Sequence, residues 1–128
     1  MRLKCYYAHA KMLYDTPQEA RDLELLRQEL NFDVVNPNQP VHQESCRSDE
    51  WMKNGPDNEM NYFLCLVENC DLVAFRALPD MRIPAGVYRE ICHAKQLGKP
   101  VIELPSSTLT RGLSIELTRE YYKECGYR

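Results

Sequence analysis

A chain of 128 residues fits one domain with a single core and little to spare. Charged residues make up 27% and hydrophobic ones 44%, a balance that excludes an intrinsically disordered chain. A formal net charge of −3 excludes a surface built to coat nucleic-acid polymers, and no apolar run approaches the roughly 20 residues that cross a bilayer.

Leu3 to Ala8 is the first expected strand, reached directly from Met1-Arg2 without the pattern of a signal peptide. It ends in Tyr6-Tyr7-Ala8-His9-Ala10, where the small Ala8 lets a ligand approach the backbone. Lys11 to Thr16 reads as a loop. Thr16-Pro17-Gln18-Glu19 then opens a helix, with Thr16 as cap and Pro17 in the first position. Ala20, Leu23, Leu26 and Leu30 keep helical spacing along it. Phe32 to Val35 is a second strand, closed by Asn36-Pro37-Asn38; Asn36 and Asn38 either touch a ligand or make Asx turns.

Asn36 to Asp57 is polar and turn-rich and reads as a long loop, with one helical turn expected over Ser48–Lys53. Trp51 and Met52 in it serve as a lid, as a subunit contact or as packing under the loop. Asn58 to Asn69 is a helix with Met60, Phe63, Leu64 and Val67 on one side. Asp71 opens the third strand, Leu72–Phe75, as a structural cap or as a catalytic acid.

The next helix begins near Gly86 and stops at Gly98, before a fourth strand in Pro100–Leu104. Val87, Ile91 and Ala94 form its apolar stripe, which leaves Arg89 and His93 facing solvent. Glu90 borders that stripe in the first turns, with the small Gly86 and Ala94 one turn away on either side. The positive end of a helix favours an ionised carboxylate there. After the loop Pro105–Thr110, a last helix runs from Ser114 to Gly126 with Leu117, Tyr121 and Cys125 as its expected buried stripe.

Strands alternating with helices predict one α/β domain over residues 1–128, a three-layer sandwich around a four- or five-stranded parallel, Rossmann-like sheet. Ligands of such sheets bind beyond the carboxyl ends of the strands, where Glu90 falls. The six cysteines include no CxxC pair, and His42-x3-Cys46 has no partner pair at zinc spacing. The expectation is therefore free thiols, no metal, no cofactor and a cytoplasmic setting.

Three stretches together resemble the nucleoside 2-deoxyribosyltransferase family and its relatives that hydrolyse nucleoside monophosphates. These are Cys5-Tyr6-Tyr7-Ala8-His9-Ala10, Asn69-Cys70-Asp71-Leu72-Val73-Ala74, and Gly86-x3-Glu90-Ile91-x2-Ala94-x3-Gly98-Lys99-Pro100-Val101-Ile102. The resemblance implies Glu90 as the nucleophile, Tyr6 as its hydrogen-bonding partner, and a homodimer or higher homo-oligomer in which a neighbour helps close the site. It implies a nucleoside or nucleotide as the small-molecule partner.

The chain departs from the family in two places. Ala8-His9-Ala10 stands where the family carries glycine or serine, and the base-binding aspartate is replaced in Met60-Asn61-Tyr62-Phe63, where Asn61 takes its place. Asp80 is the candidate for the family's second acidic group. His9 either donates to a phosphate or to the leaving base, or is an exposed loop histidine. Tyr6 either orients Glu90 or only fills the core, and Glu90 itself is either the nucleophile or an idle helix-start carboxylate.

The implied chemistry is cleavage of an N-glycosidic bond through an oxocarbenium-like state, with transfer to water or to a second base. The alternative is a protein that binds and sequesters a nucleotide-type signal without turning it over.

Overall fold

The computed structural model describes residues 2–48, 58–105 and 112–127. Four parallel strands form one sheet: β1 (Lys4–Ala8), β2 (Asp33–Val35), β3 (Leu72–Phe75) and β4 (Val101–Glu103), in the order β2-β1-β3-β4. Tyr6 lies opposite Val35 on one side and Val73 on the other. Five α-helices accompany the sheet among the described residues: α1 (Pro17–Glu24), α2 (Pro40–Ser45), α3 (Asn58–Glu68), α4 (Ala85–Gln96) and α5 (Ile115–Glu124). This is the expected three-layer α/β arrangement, with four strands.

β3 is apolar and buried at every position, and β1 is buried from Cys5 onward, because both faces of these central strands are covered. Side chains alternate between faces along a strand. Tyr6, Ala8, Val73 and Phe75 therefore meet Val67 of α3 and Val87, Ile91 and Ala94 of α4. Cys5, Tyr7, Leu72 and Ala74 meet Leu26 and, around it, Leu23 and Leu25 on the opposite side. Fully burying a side chain such as Val73 or Leu26 contributes about 1.5–3 kcal/mol. Burial also pushes the Cys5 thiol up to about 12 and Cys70 up to about 11, so both stay protonated. All six cysteines are free.

Helix ends follow local chemistry. Thr16 caps α1 by accepting from the Glu19 amide at 3.3 Å, with Pro17 in the first turn. The helix then widens into a π turn over Leu25–Glu29, and Asn31 at φ 58° lets the chain reverse into β2. At the end of α4, Gly98 takes φ 71°, and the amides of Gly98 and Lys99 close back on the carbonyls of Lys95 and Ala94. Lys99 then sends its ammonium to the carbonyls of Val67 (3.2 Å), Glu68 (2.6 Å) and Cys70, joining the carboxyl ends of α3 and α4. A cation there also complements the α3 dipole.

Three expectations are corrected. The polar stretch after Asn36 is not structureless: it holds α2, with Pro40 in its first turn and His42 Nδ1 on the Tyr62 hydroxyl of α3 at 2.8 Å. Ser48 is described but belongs to the turn after α2, while Trp51, Met52 and residues 106–110 of the late loop lie outside the described residues. The stripe of α5 is not buried. Leu117 is 52% and Tyr121 57% exposed and Cys125 is exposed too, because α5 packs extensively on no other described strand or helix. His93 is not free in solvent either, since its Nε2 meets Glu68 at 2.9 Å. No described helix is long and apolar enough to cross a membrane.

Candidate active site

The strand order reverses at β1: the chain goes first to β2 on one side, then to β3 on the other. A crevice opens at the carboxyl ends of strands where such a reversal occurs. Here it is a cavity of about 380 Å³, within the usual range for small-molecule sites. Tyr6, His9 and Ala10 line it from β1 and its exit, Met60 and Phe63 from α3, and Gly86 and Glu90 from α4.

Tyr6 and Glu90 meet because alternation turns Tyr6 toward α4 while helical spacing sets Glu90 beside Val87, Ile91 and Ala94. The Tyr6 hydroxyl donates a close hydrogen bond to Oε2 of Glu90. Glu90 is only 5% exposed, and its other oxygen has no hydrogen-bond partner among the described residues. Burial pushes the Glu90 carboxyl up to about 7, and the Tyr6 hydrogen bond opposes that rise. Burial and the neighbouring carboxylate hold the Tyr6 phenol well above its ordinary value, so it stays a donor.

The start of α4 forms an adjoining wall. Pro84 is its cap residue and offers no side-chain acceptor, so the first amides of the helix lack a side-chain partner. Gly86 lies on this wall, and a Cβ there would stand 3.4 Å from Cε of Met60. At the rim, the Lys11 ammonium pairs with Glu59 at 2.9 Å.

The other expected contacts divide. Gly86 and His9 line the cavity, but His9 is buried rather than an exposed loop residue. Its Nδ1 donates to the Tyr7 carbonyl at 3.1 Å, and its Nε2 meets Glu19 Oε2 at 2.7 Å. Neither nitrogen is left for a ligand. Burial lowers the His9 pKa, and the hydrogen bond to Glu19 partly restores it.

Ala8 is fully buried on the α4 side of the sheet and does not reach the cavity. Asn36 turns inward, its Oδ1 accepting the Asn38 amide at 3.0 Å, so the Asx-turn reading holds and Pro37 takes the wall instead. Asn61 is exposed, because the helical phase that brings Met60 and Phe63 to the cavity carries it away. Asp80 is also exposed, in a turn where it accepts the Arg82 amide at 3.0 Å.

Sequence reading missed Tyr14 and Glu59, both on the cavity wall. Tyr14 sits in a stretch without periodicity, which in fact holds a 3₁₀ turn, Lys11–Leu13. Glu59 was a surface charge at a helix start by every local sign. Among the described residues, no group of three or more His, Cys, Asp or Glu is placed to hold a metal ion. Compared with known proteins, the chain matches no family model, no curated protein and no solved structure.

Proposed function

We propose that the protein cleaves the N-glycosidic bond of a nucleoside or nucleoside 5′-monophosphate, with Glu90 as nucleophile. One observation carries the reading: a buried carboxylate, gripped on one oxygen by Tyr6, with its other oxygen uncommitted beside a ligand-sized cavity. In the proposed reaction Tyr6 fixes the carboxylate, and the free oxygen attacks C1′ to form a glycosyl-enzyme. Water then completes hydrolysis, or a second base completes transfer. The likeness of the Gly86–Ile102 stretch to the deoxyribosyltransferase family supports the same roles.

Chromatographic assay of free base from a panel of deoxynucleosides, ribonucleosides and their 5′-monophosphates tests the reading. Release from at least one member is expected, with a new nucleoside on adding a second base only if the enzyme is a transferase. A preference for monophosphates would place the phosphate at the start of α4. Nucleotide binding without any release would leave the sequestering reading in its place.

The resemblance also implies a homo-oligomer, and the uncovered apolar side of α5 suits a contact between copies. Sedimentation as a monomer at tens of micromolar would remove that part.

A further inference from the structure

The cavity's polar side chains are Tyr6, His9, Lys11, Tyr14, Glu59 and Glu90. Four of them are already committed to protein partners, and Glu90 is held on one oxygen with the other kept for the proposed attack. Tyr6 donates to Glu90, both nitrogens of His9 are engaged behind the wall, and Lys11 and Glu59 pair at the rim. Among the described residues, the Tyr14 hydroxyl has no hydrogen-bond partner.

Tyr14 is nevertheless held firmly. It closes the 3₁₀ turn, its amide bonded to the Lys11 carbonyl at 3.0 Å. Its ring lies 4.8 Å from that of His9, tilted by 52°, and His9 stacks flat on Tyr7 at 3.8 Å. His9 is locked by Glu19, and Glu19 accepts the Asp15 amide at 3.2 Å and the Asn38 side-chain amide at 3.1 Å. A buried cluster drawn from α1 and the exits of β1 and β2 thus holds one phenol at the cavity wall with its donor unspent.

We propose that Tyr14 contacts the substrate at the leaving base, donating a hydrogen bond to the nitrogen released when the glycosidic bond breaks. The inference rests on the glycosidase reading and supplies the role that His9 is too committed to play. As a Glu90 oxygen bonds to C1′, the C1′–N bond breaks and its electron pair passes to the base nitrogen. Tyr14 stabilises that growing negative charge and keeps its own proton; the departed base takes a proton from water. Burial and the nearby Glu90 charge hold the Tyr14 phenol above its ordinary value, which suits a donor that does not ionise. Glu19 and His9 are positioning residues in this arrangement.

The test is Tyr14→Phe, which keeps the ring against His9 and removes only the hydroxyl. Wild type and variant are compared on the accepted substrates, graded by the acidity of the departing nitrogen. For the poorest leaving base kcat is expected to fall about a hundredfold, with KM little changed. For the best leaving base the loss is smaller, so the dependence of kcat on leaving ability steepens. An equal loss across the series, or none, overturns the role. Failure of wild type to cleave any substrate overturns the glycosidase reading itself, and this inference with it.

Discussion

Glu90→Gln is expected to lower base release by about a thousandfold or more, because an amide cannot form the glycosyl-enzyme of the proposed reaction. Binding of the intact nucleotide should survive, since the Tyr6 hydroxyl can still donate to the amide oxygen. Base release by chromatography and nucleotide affinity by calorimetry, measured on the same preparation, separate the two effects. Loss of less than tenfold would remove Glu90 from the reaction.

The same substitution carries a signature in pH. Burial raises the Glu90 carboxyl from an ordinary 4.5 to about 7 in the folded protein. A carboxyl raised on folding favours the folded state below its unfolded pKa, and that advantage is lost as pH climbs through the folded one. Wild type should therefore lose about 3 kcal/mol between pH 4.5 and pH 7 from this group, and the Gln variant should not. Urea titrations of both proteins across that window read the difference directly. If Glu90 is the nucleophile as proposed, kcat of wild type should rise with pH toward a plateau above about 7, because only an ionised carboxylate can attack. Identical pH dependence of stability in the two proteins would mean that Glu90 is better hydrated than its surroundings imply.

Arg76→Met is the substitution expected to cost most in stability, about 3–5 kcal/mol. Arg76 grips the Asp22 carboxylate with Nε at 3.0 Å and Nη2 at 2.6 Å, and its remaining nitrogen reaches the Pro105 carbonyl at 2.8 Å. Asp22 also accepts from the Tyr7 hydroxyl at 2.6 Å and from Gln18 at 2.9 Å. Both charged side chains are almost completely buried. Methionine fills much of the same volume but leaves a carboxylate inside the protein without its cation, and that imbalance dominates the loss. Adding Asp22→Asn to Arg76→Met removes the stranded charge and should recover part of the stability. A single-variant cost under 1 kcal/mol by urea denaturation, or no recovery in the double variant, would contradict the account.

The sheet was legible in the chain because Leu72–Phe75 is a short apolar run and Val101–Leu104 is apolar but for Glu103, the two separated by a helix that Pro84 opens and Gly98 closes. Tyr6 and Glu90 were legible for the same reason, since strand alternation and helical spacing set their directions before any tertiary contact is known. The burial of His9 was not, because Glu19 reaches it only once α1 has docked on the sheet. Asn61 fell one position away from the face that Met60 and Phe63 share, a phase error that a local pattern cannot detect. Helix α2 was hidden by the polar composition around it, although Pro40 marked its first turn. The apolar spacing of Leu117 and Tyr121 was real, but spacing states only that a face wants cover and not which surface supplies it.

The Tyr6–Glu90 hydrogen bond joins residues 84 positions apart. It cannot exist in any early, locally ordered state of the chain, because closing so long a loop costs entropy that only the assembled sheet offsets. Formation of the Tyr6–Glu90 contact after dilution from denaturant would therefore track completion of the whole domain, whereas helical signal from α4 alone can return sooner.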